Sequence, residues 1–176
     1  MSTTAKWTID PTHSEINFKV KHLMISNVKG EFTEFEAEIS GEDFTASKIS
    51  AKVKSDSIFT NNSDRDAHLK SEDFFDASKH EFITFEGTKL TKVDDDEYSL
   101  KGDLTIKDTT KNIALLLEYG GQMKDPYGNE KIGFSVNGKI NRKDWGLNWN
   151  AALEAGGVMV SDEVKIIGEL QFVKQA

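Results

Sequence analysis

The feature that most restricts what this chain can fold into is a strict two-residue alternation of apolar and polar side chains. Over residues 14–22, Ile16, Phe18, Val20 and His22 share one face, and Glu15, Asn17, Lys19 and Lys21 share the other. A strand turns successive side chains to opposite sides, so this pattern predicts a strand with one face in a core and one in water. Residues 33–39 repeat it, with Phe35, Ala37 and Ile39 against Glu34, Glu36 and Glu38, while Phe32 falls out of phase and suggests a bulge. Residues 47–53 set Ile49, Ala51 and Val53 against lysines, and a Glu-rich outer face beside a Lys-rich one predicts that these two strands are neighbours.

Further strands are predicted at 82–90, 97–107, 112–119, 131–140 and 163–173, with a short opening strand at 7–9, making eight or nine in all. Turn chemistry separates them at Asp94-Asp95-Asp96, Lys107-Asp108-Thr109 and Asp125-Pro126-Tyr127-Gly128. Hairpin-linked antiparallel strands without long helices between them predict an up-and-down barrel or a sandwich, and periodicity alone does not separate the two. One polar, aperiodic stretch, 57–81, interrupts the pattern. Within it, 66–76 reads as one or two short helical turns outside the barrel or over one end.

With 176 residues, 37% hydrophobic and 30% charged, the chain suits one domain, 1–176, with a buried interior. The formal charge of −8 argues against nucleic acid and anionic membrane surfaces as partners. Cysteine is absent, which removes disulfides, thiolate metal sites and a cysteine nucleophile. No apolar run reaches the roughly 18 residues of a membrane span. Residues 1–6 carry neither a basic region nor an apolar stretch of secretory type, so cytoplasmic residence is expected.

An eight-stranded barrel is either filled by its own side chains or holds one small ligand. Its inner face here mixes large residues (Phe18, Phe35, Phe85, Phe134) with small ones (Ala37, Ala51, Gly87, Gly102, Gly138, Gly168). The glycines fit two roles equally, bends of the sheet or places where a ligand approaches the backbone. Such a cavity would be long and apolar. At about 0.8 kcal/mol per buried CH₂, twenty prenyl carbons release on the order of 16 kcal/mol, against an association cost of roughly 4–15 kcal/mol.

Several blocks then carry a family signature. Trp7-Thr8-Ile9-Asp10-Pro11-Thr12-His13-Ser14, followed by Phe18, Val20, His22, Gly30 and Phe32, resembles the opening of the YceI family of lipid-binding, lipocalin-like barrels. The resemblance continues through Arg65-Asp66-Ala67-His68-Leu69-Lys70-Ser71, Phe74-Phe75-Asp76-Ala77, Ile83-Thr84-Phe85 and Gly102-Asp103-Leu104-Thr105-Ile106. It closes with Asn141-Arg142-Lys143-Asp144-Trp145-Gly146-Leu147 and Val160-Ser161-Asp162-Glu163-Val164. Two features depart from the family: His80-Glu81 stands where an aromatic-proline pair is usual, and the secretory leader of many relatives is lacking.

The resemblance implies an all-β, extended antiparallel eight-stranded barrel with a short helical segment, often dimeric. Its tunnel would take a polyprenyl pyrophosphate, quinone-like or related amphiphile. The expected ligand-binding residues are Phe18, Val20, His22, Phe35, Ala37, Ile49, Ala51, Arg65, His68, Phe85, Leu104, Leu115, Phe134 and Ile166. Arg65 suits a pyrophosphate through its fork of donors, or else forms an ion pair with Asp66 that pins the polar segment. His22 either touches a ligand head or is a hydrogen-bonded interior histidine, and His13 and Ser14 belong to a turn.

His13, His22, His68 and His80 lack ligand-type spacing, so no metal and no cofactor is expected. Trp145 and Trp149 read as core aromatics or plugs, and Lys107, Lys111, Arg142 and Lys143 as solvated charges. No nucleophile elbow, phosphate-binding loop, dinucleotide fingerprint or zinc-protease motif occurs. Binding, storage or transport of an isoprenoid-type lipid is therefore expected, not catalysis. An enzyme working at the mouth through Arg65, Asp66 and His68, and a filled barrel that only docks partners, stand as alternatives.

Overall fold

The computed structural model describes residues 5–147, apart from 24 and 42, and residues 160–175. The chain lays down β1 (Lys6–Ile9), β2 (Glu15–His22), β3 (Ser26–Phe32), β4 (Phe35–Ser40), β5 (Lys48–Lys54) and β6 (Ile58–Phe59). Helix α1 (Ser63–Lys70) follows, then β7 (Phe82–Asp94), β8 (Glu97–Ile106), β9 (Thr109–Lys124), β10 (Glu130–Asn141) and β11 (Val160–Lys174). Every pairing is antiparallel, and β1–β4–β5–β7–β8–β9–β10–β11 closes on itself through the β1–β11 ladder, an eight-stranded barrel. Closure leaves no long unpaired edge in that ring.

The first three walls of the barrel are kinked strands. β1 and β2 both pair with β11, at its C-terminal and N-terminal halves, so together they form one wall broken at Asp10-Pro11. Proline cannot donate to a ladder, and Asp10 caps the resulting 3-10 turn by accepting from the Thr12 backbone N–H at 3.0 Å. His13 Nδ1 lies 2.9 Å from Asp10 Oδ2, which gives the histidine the turn role expected of it. Lys131 bridges Asp10 and Asp125 at 3.6 and 3.7 Å and ties this kink to the β9–β10 turn. In the same way β3 and β4 form one wall broken at Thr33-Glu34, and β5 and β6 another.

The predicted neighbours of 33–39 and 47–53 do pair, with Glu36 opposite Lys52 and Ala37 opposite Ala51. Two details differ from the sequence reading. Phe32 is not a bulge: it ends β3, a strand the alternation did not reveal, and a two-residue break separates it from β4. β7, β9 and β11 also extend well beyond their predicted limits, to 13, 16 and 15 residues. Apart from exposed Val93 and Met123, most of the added residues are polar or glycine, so the apolar alternation fades while the hydrogen-bond ladder continues.

β6 pairs only with β3, and β7 pairs with β5 no further than Lys54 opposite Phe82. The wall is therefore split at one end, and residues 60–81, including α1, lie over the gap. Asn62 caps α1 through Arg65 N–H at 3.0 Å, with acids in its first turn and His68 and Lys70 in its last. Among the described residues no helix is long and apolar enough to cross a membrane.

Candidate functional site

The barrel interior is hollow. A cavity of about 630 Å³ runs inside it, in the middle of the roughly 300–1,000 Å³ of small-molecule sites. Its walls are almost wholly hydrocarbon, because the inward residue of every second position along each strand is apolar. On β11 the lining runs from Val160 through Val164, Ile166, Gly168 and Leu170 to Phe172. At ~3.4 Å per residue and a tilt of about 40°, that stretch spans about 30 Å of the barrel axis. Several inward residues, Phe18, Val20, Ile49 and Ala51 among them, stay only half-buried although they face the axis, since their remaining exposure is to this space.

One end of the cavity is a mouth and the other a floor. The mouth reaches the surface beside Lys21, Asn62 and Asp64, with Arg65, His68, Leu69, Phe74 and Phe75 from the crossing segment along one side. The floor is formed by Ile39, Phe134 and Phe172, part of an aromatic cluster with Trp7 and Ile132. The bore is thus blind, where a tunnel was expected.

Thirteen of the fourteen residues expected to meet a ligand line this cavity: Phe18, Val20, His22, Ala37, Ile49, Ala51, Arg65, His68, Phe85, Leu104, Leu115, Phe134 and Ile166. Phe35 does not. Phe32 and Phe35 flank the break between β3 and β4, and Phe32 takes the inner position there, its ring 5.7 Å from Phe18 and 6.0 Å from Phe75.

The inward glycines serve neither of their two expected roles alone. A Cβ on Gly30 would stand 2.2 Å from Phe18 Cζ, and one on Gly102 would stand 2.3 Å from Phe85 Cζ. The ring tips from the neighbouring strand rest against bare backbone, which keeps large side chains against the wall. A bulky apolar residue beside a glycine is how this barrel stays both greasy and open.

The polar groups of the mouth are held by one another. Asp66, buried, accepts from the Thr60 backbone N–H at 2.8 Å and from the Thr60 hydroxyl at 2.5 Å. Arg65 donates from Nε to that hydroxyl at 2.8 Å and from Nη2 to the Thr60 carbonyl at 2.7 Å. Arg65 and Asp66 therefore converge on Thr60, and the direct ion pair between them is not formed. This clamp spends the Nε and one Nη2 donor of Arg65 and fixes its guanidinium at the rim. His68 Nε2 lies 2.9 Å from Asp73 Oδ2 and edge-on to Phe74. His22 faces the same mouth from β2, with no ring hydrogen bond among the described residues.

Arg142 is the residue the sequence misplaced. Read as a solvated charge, it is 3% exposed and lines the cavity. Its guanidinium donates to the carbonyls of Ser161 at 2.9 Å, Val160 at 3.3 Å and Leu147, and sits 3.9 Å from Asp162. Burial works against its charge, and Asp162 partly offsets this. Trp145 is buried as expected and donates Nε1–H to the Leu104 carbonyl at 2.9 Å; Trp149 lies outside the described residues. Among the described residues, no three His, Asp or Glu side chains are grouped closely enough to hold a metal ion.

With a blind apolar bore, a kinked Asp-Pro-Thr-His wall and the Arg142–Trp145 turn in place, the comparison with known proteins is decisive: the YceI-like domain family matches residues 7–172. The chain belongs to the YceI-like family. The UPF0312 protein of Staphylococcus epidermidis is 42% identical over 170 residues, covering 95% of this chain and 96% of that one. A Campylobacter jejuni YceI protein of known structure is 37% identical, with a TM-score of 0.76 over 89% of this chain and 90% of that one. At 16% identity, a polyisoprenoid-binding domain from Saccharophagus degradans shares the YceI-like fold with a TM-score of 0.72, over 96% and 98% of the two chains.

Proposed function

We propose that this YceI-like protein binds and carries an isoprenoid-type lipid, tail in the bore and head group at the rim. The observation that supports this reading best is the continuous, almost wholly apolar cavity of about 630 Å³ with its charged side chains gathered at one end. A dry cavity of about 150 Å³ accepts one benzene, so this one has room for roughly 25 carbons, or four to five prenyl units. The structural neighbour from Saccharophagus degradans is itself described as a polyisoprenoid-binding domain. At the rim, Arg65 keeps its Nη1 donors for an acceptor, and His22 and His68 stand beside it, a set suited to a pyrophosphate or a quinone carbonyl.

No step of catalysis follows from this arrangement. Asp66 Oδ1, the Thr60 hydroxyl and carbonyl, and Arg65 Nε and Nη2 are engaged in holding the segment, and His68 is engaged with Asp73. Native mass spectrometry of the purified protein, followed by lipid extraction and titration with a twenty-carbon prenyl pyrophosphate, tests the reading. Preparations that carry no apolar molecule and bind neither the pyrophosphate nor the matching prenol refute it. Arg65→Ala is expected to weaken the pyrophosphate by about 10–100-fold, the worth of hydrogen bonds to a charged group, and to leave the neutral prenol within about threefold.

A further inference from the structure

Behind the floor of the bore lies a second pocket of about 250 Å³, lined by Trp7, Asp43, Phe44, Tyr119, Gln122 and Ile132, with Ile39 as a wall common to both spaces. Phe44 fills the boundary. Its ring packs 5.0 Å from Phe134, which faces the bore, and 5.1 and 5.2 Å from Tyr119 and Tyr98. The other rings of this cluster stand on strands. Phe44 alone among them stands on a three-residue 3-10 turn in the β4–β5 connection.

That turn is held mainly by its own residues. Asp43 accepts from Thr45 N–H and hydroxyl at 2.9 and 2.7 Å, and Ser47 donates back to the Asp43 carbonyl. Where the connection leaves β4, Gly41 has a φ of +141°, a backbone state closed to other residues without strain. A shift of the turn as a unit keeps these bonds and gives up the ring contacts of Phe44 and the Gly41 N–H bond to the Ala5 carbonyl at 2.7 Å.

We infer that Phe44 is the chain-length stop of the bore, and that the pocket behind it is the overflow site for the end of a longer prenyl chain. This rests on the isoprenoid reading above and adds to it which residue sets the accepted length. Displacing the Phe44 ring frees Phe134 to swing outward and joins the two spaces. By the same benzene yardstick the rear pocket adds about ten carbons, close to two prenyl units. The apolar contact for the chain end comes from Trp7, Ile39, Tyr119 and Ile132, with Asp43 and Gln122 at the polar side of the same pocket.

The test is a competition series of prenyl pyrophosphates of ten, twenty and thirty carbons against the wild type and Phe44→Ala, using delipidated full-length protein. The thirty-carbon to twenty-carbon affinity ratio is expected to rise at least tenfold in Phe44→Ala, with ten-carbon binding unchanged. An unchanged ratio, or equal weakening at every length, overturns the inference while leaving the isoprenoid reading intact. Wild-type protein that binds no member of the series overturns both. Should Phe44→Ala not fold, Phe44→Leu, which keeps an apolar contact to Phe134, is read by the same ratio and is expected to move it in the same direction by less.

Discussion

Filling the bore from within separates a hollow interior from a packed one. Ala51 stands on β5 between Ala37 and Phe85, its register partners on the two neighbouring strands, and lines the cavity between mouth and floor. In a filled core, Ala51→Phe would cost about 1–3 kcal/mol or more through overpacking. Here the added ring enters empty apolar space and buries itself at a gain of about 1.5–3 kcal/mol, less its lost rotamer freedom. The delipidated variant is expected to melt at the wild-type temperature or a few degrees above it, since 1 kcal/mol moves Tm by roughly 2–4 °C at this size. The same ring should halve the usable bore and exclude about ten carbons of a twenty-carbon tail, about 8 kcal/mol of gross transfer energy. Even a quarter of that, about 2 kcal/mol, is roughly 30-fold in Kd. Calorimetric melting, together with titration of ten-carbon and twenty-carbon prenyl ligands, reads both effects. A fall in Tm of more than about 5 °C, or twenty-carbon binding equal to wild type in the folded variant, would show that the centre is not open space.

Arg142→Met should remove the guanidinium bonds to the carbonyls of Leu147, Val160 and Ser161 and cost about 3 kcal/mol or more, seen in a thermal melt as a fall of roughly 6–12 °C; a loss within about 2 °C would return Arg142 to the status of a surface charge. Gly102→Ala places a Cβ 2.7 Å from the Glu86 carbonyl as well as against the Phe85 ring, so about 1–3 kcal/mol of destabilisation by urea titration is expected. Asp10 is held well below the usual carboxylate range by hydrogen bonds from Thr12 and His13. Its contribution is therefore complete above the unfolded value of 3.8 and is lost as pH falls below that. Asp10→Asn should accordingly flatten the acid limb of a stability-against-pH curve, and an acid limb as steep as the wild type's would contradict this account.

Much of the wall was legible because a strand has a two-residue period, and a half-buried one must alternate. The pairing of β4 with β5 followed from opposite charges on the outer faces. β3 escaped notice because two of its four inward-phase positions are Ser26 and Gly30, and the apolar cover of Gly30 is the Phe18 ring of the next strand. Alternation is a property of one segment, and here the missing hydrophobe is supplied by another. The kinks at Asp10-Pro11 were visible as turn chemistry, but not that β1 and β2 continue one wall of the barrel.

The family blocks pointed to Arg65 and His68, which line the cavity at its mouth, but did not say how they are held. Nothing in an Arg-Asp dipeptide says that both side chains will meet at Thr60. Arg142 was harder still. It sits in the polar run Asn141-Arg142-Lys143-Asp144, and its burial arises only when that turn folds against Val160 and Ser161, 18 and 19 positions onward.

The amino-acid order alone thus determined most of the strands, the greasy side of those that alternate, and the polar segment that would lie apart from them, since these follow from periods of two and from turn residues read within a few positions. Whether the greasy sides would meet or stand apart was decided only when the ring of strands closed. A hollow is a relation among eight walls, set by how Phe18 and Phe85 lie back on glycines, where Phe44 stops one end and where α1 leaves the other ajar, and no single stretch of chain contains it.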